Sequence, residues 1–362
     1  MHHSKNLFLS MTSNLQNPNS ATIADIARQA GVGTATVDRV INGRPGVHAD
    51  TVSKVMKILV GAGSAPQRGR PRQRDNLRLA FILPADNTPF LDQVERQIAH
   101  LASDFRHLHI TEITHRLDAS DPAEFAAALT QTVNAGLFDG VALLAPDLPA
   151  VKQAINAMVR AGVHVVTLLS DVAGAQRAAY IGSDNRAAGR TAGLLLGRMA
   201  GQPDRNTLLL ASQATRLSGE IERRIGFAQV IEERFAHLNV LRTPDLPADD
   251  AGAQAMLSDW LRSKSNVPSI SGVYNVGAGS AGVTQALDLL GLTKQIAVVA
   301  HDLTDAHRSL LLNDRLAYVL DQNIHYGVLS AAKVLQALCD NVRGAISVAS
   351  PRLDILTAEN LH

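Results

Sequence analysis

The sequence predicts a two-lobed α/β protein of doubly wound parallel sheets, preceded by a small all-helical head. Three observations support this fold class. Residues 22–42 place apolar side chains at helical spacing on either side of a glycine. Residues 61–75 lose that period and are rich in Gly, Pro and Arg, as in a linker. From residue 77, apolar strand segments alternate with helical segments, which is typical of parallel sheets covered on both faces. Residues 77–362 are too many for one such sheet, so we expect two lobes.

The head is predicted to be a helix-turn-helix, in which two short helices cross closely. Ala27 is small where the second helix must approach, and Gly31 can adopt the positive φ that a tight turn requires. Thr22 followed by Asp25 approximates a capping box at the start of the first helix. A third amphipathic helix is expected over residues 50–60. The apolar residues expected on the inward faces of the first two helices are Ile23, Ile26, Val32, Val37 and Val40. An ordinary amphipathic helix pair is the alternative, but the agreement of these constraints favours a DNA-binding element.

The segment GVGTATVDRVINGRPGVHADTVSKV resembles the DNA-binding segment of the lactose-repressor (LacI) family of bacterial regulators. The resemblance implies that the second helix enters the major groove of operator DNA. The contacts it implies are Thr34, Ala35 and Arg39 at base edges and Thr22, Thr36 and Asn42 at phosphates.

Two positions of the head depart from the family pattern. Gly33 stands where a capping Ser is usual, and Asp38 stands where a Ser usually precedes the arginine. Because a carboxylate repels phosphate, Asp38 either orients Arg39 or accepts a hydrogen bond from a cytosine amino group. The operator sequence is therefore left open.

The linker at residues 61–76 also departs from the family. In the resembling proteins this region forms a hinge helix that inserts an apolar wedge into the minor groove. Here no leucine occurs between Val60 and Leu77, and the sequence Arg-Gly-Arg-Pro-Arg at residues 68–72 is similar to the core of an AT-hook. We expect Arg68 and Arg70 to read the narrow minor groove of an A·T-rich centre. A solvated basic linker that touches phosphates without sequence preference is the alternative.

Charge and cysteine content fit this organisation. The net charge is +1, but residues 1–75 contain ten Lys or Arg against four Asp, whereas the remainder contains 24 basic and 29 acidic residues. A polyanionic partner therefore belongs to the N-terminal part. The single cysteine, Cys339, fits a reducing cytoplasm. Residues 1–20 lack an apolar signal core and are expected to be a disordered leader, and no apolar run approaches the roughly 20 residues of a membrane span. The expected location is the bacterial cytoplasm, on the nucleoid through DNA binding.

Polar residues follow several predicted strands of the α/β part. In open α/β sheets ligands bind beyond the carboxyl ends of the strands, so these residues are expected to meet in one cleft. Carboxylates, an arginine, amides and an aromatic ring suit a neutral polyhydroxylated molecule. Crossings of the chain near Asp184 and near Gln322 would separate the lobes. The expected effector contacts are Asp86, Asn87, Phe90, Asp184, Arg223, Asn275, Asp302 and Gln322.

From residue 77 onward the sequence also resembles the periplasmic-sugar-binding-like core of the same family. The positions that match its effector contacts are Asp184, Arg223, Asn275, Asp302 and Gln322. Val276 departs from the Asp that is usual after that Asn, and the spacing from Gln322 to Gly327 differs.

Each of these residues has a structural alternative. Asp184 and Asn185 can cap the helix that follows them. Arg223 can belong to a solvated charged face that it shares with Glu220, Glu222 and Arg224.

Other function classes are predicted less well by the sequence. The glycines at 277, 279 and 282 have G-x-G-x-x-G spacing, and Asp302 lies about 20 residues further on, so a nucleotide-binding α/β enzyme is one alternative. A small-molecule-binding module without a specific DNA role is another. The sequence contains no HExxH or paired CxxC motif, and we expect no catalytic residues, cofactor or metal.

The sequence thus predicts a ligand-responsive, sequence-specific DNA-binding repressor that is not an enzyme. It should act as a homodimer, because two heads on a pseudo-palindrome supply the base contacts that one head lacks. The predicted organisation is a leader (1–20), a helix-turn-helix head (21–60), a basic hinge (61–76) and a two-lobed effector-binding and dimerisation domain (77–362).

Overall fold

The computed structural model of the chain describes residues 22–41, 46–61, 76–134, 138–200, 204–263, 269–277, 279–293, 295–340, 342 and 351–361. The chain forms two compact units, an N-terminal one and a larger one that begins at residue 73. The N-terminal unit contains α1 (Ile23–Ala30), α2 (Thr34–Ile41) and α3 (Ala49–Gly61). Within the described ranges, no helix combines the length and apolar character needed to cross a membrane.

The predicted capping box and glycine turn are both present in the N-terminal unit. Thr22 Oγ1 accepts a hydrogen bond from the Asp25 backbone N–H at 3.3 Å, and the Asp25 carboxylate accepts from the Thr22 N–H at 3.1 Å. Gly31 follows α1 with φ 67° and ψ 34°, a left-handed conformation that glycine adopts without a Cβ clash. The helix-turn-helix prediction is confirmed.

The three helices of the head pack on small and branched apolar residues. The buried side chains are Ile26, Ala27, Ala30, Val37, Val40, Val55 and Leu59. Ile23 is 44% exposed, so its predicted inward position is wrong and the inward face of α1 begins one turn later.

The larger unit contains two parallel sheets. The first has the order β2-β1-β3-β4-β5 and comprises β1 (Leu77–Pro84), β2 (Ile110–Leu117), β3 (Gly140–Leu143), β4 (His164–Leu168) and β5 (Ala179–Ile181). The second has the order β11-β10-β9-β8-β6-β7 and comprises β6 (Thr207–Ala211), β7 (Asn239–Arg242), β8 (Ile270–Asn275), β9 (Ala297–His301), β10 (Tyr318–Asp321) and β11 (Asp354–Leu356). All pairings are parallel except that of β11 with β10.

Helices connect the strands of both sheets. They are α4 (Pro89–His100), α5 (Ala102–His107), α6 (Pro122–Asn134), α7 (Pro149–Arg160), α8 (Asn185–Met199), α9 (Ser218–Arg234), α10 (Asp250–Arg262), α11 (Ser280–Leu289), α12 (Asp305–Leu312) and α13 (Ile324–Cys339), with a 3-10 turn at Ala358–Asn360. The helical segment between β1 and β2 is divided into α4 and α5, which are separated at Leu101.

The chain crosses between the sheets where the sequence predicts. After β5 it enters α8, whose buried residues join the core of the second sheet. After β10 it enters α13, and Ile324, Val328 and Leu335 pack in the core of the first sheet. A third crossing, which was not predicted, brings β11 back to the edge of the second sheet. We call the sheet of β1–β5 with α4–α7 and α13 the first lobe, and the sheet of β6–β11 with α8–α12 the second lobe.

Two helices of the second lobe approach each other closely through glycines. A Cβ atom at Gly189 of α8 would overlap the carbonyl oxygen of Arg223 on α9. A Cβ atom at Gly226 of α9 would overlap the carbonyl oxygen of Arg186 on α8. This close contact determines the distance at which Arg223 lies from the first turn of α8.

Candidate functional site

A cavity of about 710 Å³ lies between the two lobes. Its walls are the segments that follow β1 to β4 in the first lobe and β6 to β10 in the second. This is the carboxyl-end location expected of open α/β sheets, and the volume is that of a small-molecule site.

Six of the eight predicted effector residues line the cavity. They are Asp86, Asn87 and Phe90 from the first lobe, Arg223 and Asp302 from the second, and Gln322 at the second crossing. Asn275 lies just behind the wall, is buried, and its Nδ2 donates to the Oγ of Ser280 at 2.7 Å. Ser280 itself lines the cavity.

The remaining predicted contact, Asp184, does not reach the cavity. It is exposed, it is the N-cap of α8, and its carboxylate accepts from the Ala187 N–H at 2.9 Å. It borders a separate, smaller depression with Tyr180 and Arg186. The capping alternative is therefore the one that the structure bears out. The next residue, Asn185, is buried, and its Oδ1 accepts from Arg223 Nε at 2.7 Å.

Arg223, Asp302 and Gln322 form one buried polar group. An oxygen of the Asp302 carboxylate lies 3.5 Å from Arg223 Nη1, and the other accepts from Gln322 Nε2 at 2.8 Å. Arg223 and Asp302 are each 5% exposed. Asp302 has φ 65°, a left-handed conformation that is unusual for a residue other than glycine. The solvated-face alternative for Arg223 is excluded by this burial.

Two histidines that the sequence did not single out also line the cavity. His307 Nδ1 lies 2.6 Å from the carbonyl oxygen of Asp302, and His307 Nε2 lies 2.7 Å from Ser280 Oγ. A carbonyl oxygen only accepts, so Nδ1 carries the hydrogen and, in a neutral ring, Nε2 accepts from Ser280. Burial lowers the pKa of His307, which keeps the ring neutral.

His301 pairs with a buried tyrosine. Its Nε2 lies 2.5 Å from the Tyr274 hydroxyl, while Nδ1 is buried and has no hydrogen-bond partner among the described residues. Burial lowers the pKa of His301 well below its usual value and raises that of Tyr274. Both side chains are therefore neutral near pH 7.

Glu220 is a further cavity residue, which is named from the sequence only in the alternative of a solvated charged face around Arg223. It lines the cavity, its Oε1 accepts from Gln213 Nε2 at 3.3 Å, and its Oε2 is buried. Burial raises the pKa of Glu220 to about 7, while the charge of Arg223 opposes that shift. Its spacing of three residues from Arg223 on one helix is the sequence signal that could have found it.

The glycines of the G-x-G-x-x-G segment have structural roles in this fold. Gly279 has φ 74° at the start of α11, and a Cβ atom at Gly282 would overlap the carbonyl oxygen of Asp250, where α10 packs on α11. The segment follows β8 rather than the first strand of a sheet unit. Residue 278 lies outside the described residues.

In the head, the predicted base-contacting residues lie on the surface of α2. Thr34, Ala35 and Arg39 are exposed and Thr36 is half-buried. Thr22 is exposed, but its hydroxyl is already engaged with the Asp25 carboxylate at 2.6 Å. The predicted contacts Asn42, Arg68 and Arg70 lie outside the described residues.

Fold and cavity together define a two-lobed binding domain that follows a helix-turn-helix head. A family model described as periplasmic binding protein domain matches residues 79–342, and one described as bacterial regulatory proteins, lacI family, matches residues 22–66. The chain belongs to the periplasmic binding protein domain family, whose model covers more than half of it, and its N-terminal residues are similar to the lacI family of bacterial regulatory proteins.

Curated relatives match over short stretches. Catabolite control protein A from Priestia megaterium is 32% identical over 91 residues, which is 24% of this chain and 27% of that protein. The HTH-type transcriptional regulator MalR from Streptomyces coelicolor is 41% identical over 76 residues, 21% of this chain and 22% of that protein. The chain thus spans about a quarter of the length of these relatives.

Solved structures match over both lobes. A protein described as a LacI transcriptional regulator from Bacteroides fragilis has a TM-score of 0.69 at 18% identity, covering 79% of this chain and 98% of that one. A solute-binding protein of an ABC transporter from Burkholderia graminis, in complex with D-arabinose, has a TM-score of 0.71 at 17% identity, covering 80% and 98%. At these identities the similarity shows the fold.

Proposed function

We propose that this protein is a sequence-specific DNA-binding repressor that acts as a homodimer and responds to a sugar or sugar derivative bound between its lobes. One observation carries the proposal: the chain combines a helix-turn-helix whose α2 residues Thr34 and Arg39 are exposed with a two-lobed cavity lined by Arg223 and Asp302. The operator, rather than a nucleotide substrate, is the partner that this combination suits.

The effector assignment is supported by the chemistry of the cavity. Phe90 offers an aromatic face, Gln322 an amide, and Arg223 with Asp302 a charged pair that is already neutralised. A neutral polyhydroxylated ligand can use all of these without adding a buried charge. The fold neighbour from Burkholderia graminis holds D-arabinose, which makes aldoses the first compounds to test.

Contacts between the lobes offer a means of response. Gln93 Nε2 of α4 donates to the carbonyl oxygen of Leu303 at 2.7 Å, and the Asp147 N–H donates to the carbonyl oxygen of Arg216 at 2.9 Å. An effector that binds one lobe arrangement better than another shifts their populations, and the difference in binding free energy biases DNA affinity.

The organisation that goes with this function is a head over residues 21–60, a basic linker over 61–76 and an effector and dimerisation domain over 77–362. Dimerisation is proposed because a single head contacts few bases, whereas two heads on a pseudo-palindrome double the contacts. The proposed location is the bacterial cytoplasm. Titration with NAD or NADP tests the alternative of a nucleotide-binding α/β enzyme, and tight binding of either nucleotide would support that alternative.

Replacing Arg39 by alanine tests the DNA function. We expect Arg39→Ala to weaken binding to a specific operator by about 10- to 100-fold, because a base-edge contact contributes about 1–3 kcal/mol. Gel shifts at several salt concentrations, on fragments from the gene neighbourhood, measure this. Arg28→Ala is the matched control, since Arg28 is exposed on α1 and faces Asp25 at 3.3 Å. Equal losses for both variants would contradict the assignment of α2 as the reading helix.

The linker prediction has its own test, which uses Arg68 and Arg70. We expect Arg68→Ala with Arg70→Ala to weaken binding more on operators with an A·T-rich centre than on those with a G·C-rich centre, since Arg prefers the narrow minor groove. Fluorescence anisotropy on matched duplexes gives the ratio. An equal loss on both duplexes means that the two arginines contact phosphates only.

A further inference from the structure

Three polar atoms of the cavity wall are buried and have no hydrogen-bond partner among the described residues. They are Glu220 Oε2, His301 Nδ1 and Gln322 Oε1. Buried polar atoms in folded proteins are nearly always paired, because an unpaired one loses its hydration without compensation. Their position on one cavity indicates where the polar groups of a ligand belong.

Glu220 differs from Asp302, whose carboxylate also lines the cavity. Both Asp302 oxygens are already engaged, one with Gln322 Nε2 and the other with Arg223. In Glu220, Oε1 accepts from the Gln213 amide and the Thr215 side chain also lowers the pKa of the carboxyl group, whereas Oε2 has no hydrogen-bond partner of normal geometry among the described residues. Because Gln213 Nε2 donates to Oε1, the proton of a neutral Glu220 belongs on Oε2. Ionisation of Glu220 therefore changes Oε2 from a donor to an acceptor.

The charge of the cavity wall restricts the ligand. Six carboxyl groups line it: Asp86, Glu220, Asp245, Asp249, Asp250 and Asp302. Three arginines oppose them, Arg216, Arg223 and Arg224. This surplus of acidic groups disfavours phosphorylated or carboxylated ligands and leaves neutral, hydroxyl-rich ones.

We propose that ionised Glu220 accepts a hydroxyl hydrogen of a neutral polyhydroxylated effector through Oε2, so that effector affinity rises with pH. The inference rests on the proposed function for the existence of an effector in this cavity. It adds Glu220 to the carboxylates that the sequence predicts at the effector.

The groups around Glu220 place its pKa near neutral pH. Burial raises the pKa of Glu220 to about 7, and this rise is opposed by Arg223 and Arg224 on its own helix and by the Gln213 and Thr215 side chains from the segment after β6. Titratable groups from other elements also surround the cavity. Tyr274 of β8 interacts with the charge of Glu220. The cavity wall further contains His301, Asp302 and His307 at and after the end of β9, and Asp245, Asp249 and Asp250 after β7. Arg216 comes from the segment after β6, and Asp86 comes from the first lobe. Since burial holds His301 and His307 neutral, they do not mask a change at Glu220.

Isothermal titration of the full chain at about pH 6 and about pH 8 tests the proposal, with D-arabinose, D-glucose, D-galactose and D-allose as probes. We expect about tenfold tighter binding at the higher pH, because a group with a pKa near 7 is about 10% ionised at pH 6 and about 90% at pH 8. Glu220→Gln should bind more weakly and lose the pH dependence. Glu222→Gln should keep it, since Glu222 pairs with Arg186 at 2.6 Å beside the smaller depression.

Several outcomes would overturn the assignment. Binding that is unchanged or weaker at the higher pH contradicts it in the wild-type protein alone, so the test does not depend on the variant folding. A pH dependence that persists in Glu220→Gln places the titrating group elsewhere. The absence of binding by every probe rejects the ligand class. Operator gel shifts on the same preparation decide the DNA function separately.

Discussion

Alanine at Gly226 should lower the free energy of unfolding of the two-lobed unit by about 3 kcal/mol and weaken effector binding, because overpacking against backbone costs about 1–3 kcal/mol or more. The added methyl group would overlap the carbonyl oxygen of Arg186. Since that atom is backbone, α8 and α9 must move apart as rigid elements. Arg223 on α9 and Asn185 on α8 are joined by a 2.7 Å hydrogen bond that this movement stretches.

Urea unfolding followed by circular dichroism gives the change in stability, and calorimetric titration gives the change in effector affinity. Gly327→Ala is the matched control, because Gly327 also lies in a helix and a Cβ atom there would make only ordinary contacts, the nearest at 3.4 Å from Leu169 Cδ2. Its replacement should be neutral or stabilise by about 0.5–1 kcal/mol through helix propensity. Equal destabilisation by the two variants would contradict the close-packing argument.

The sequence predicts those parts of the fold that depend on local pattern. The capping box of Thr22 and Asp25 and the turn at Gly31 are short-range features, and both form as predicted. The alternation of strands and helices predicts parallel sheets, and the length of this part predicts two lobes, with crossings near 184 and 322. A local pattern does not predict which distant strands pair. The pairing of β11 was missed because β11 has only three residues and its partner β10 lies more than thirty residues earlier in the chain.

The same division applies to the cavity. Residues directly after a strand, such as Asp302, could be placed from the sequence, because parallel strands end at a common edge. Residues on helices depend on the rotation of the helix, which is set by packing. Asp184 and Asn185 illustrate the limit, since one neighbour caps α8 at the surface and the other is buried against Arg223. Glu220 illustrates it too, because its spacing from Arg223 places both on one side of a helix but does not predict that Glu220 is buried beside Gln213.

Replacing Arg223 by alanine should destabilise the two-lobed unit by about 3–5 kcal/mol, because removing one partner of a buried ion pair leaves an uncompensated charge. Asp302 is 5% exposed in the wild-type protein. In the variant, its remaining partner would be Gln322 Nε2, which lies at 2.8 Å. Asn185 Oδ1 would lose its donor as well. Effector binding should fall below detection, since Arg223 also lines the cavity.

Two further variants separate charge burial from general damage. Arg223→Met combined with Asp302→Asn removes both charges and should recover part of the lost stability without restoring effector binding, because a neutral pair avoids the desolvation cost. Arg186→Ala breaks a 2.6 Å ion pair with Glu222 on the same two helices, where the side chains are 42% and 40% exposed, and should cost less than about 1 kcal/mol. Urea unfolding ranks the three. If Arg186→Ala lowers the free energy of unfolding as much as Arg223→Ala does, the loss comes from weakened contact between α8 and α9 and not from the buried charge. If the double variant is less stable than Arg223→Ala, the Asp302 carboxylate is stabilised by groups other than Arg223.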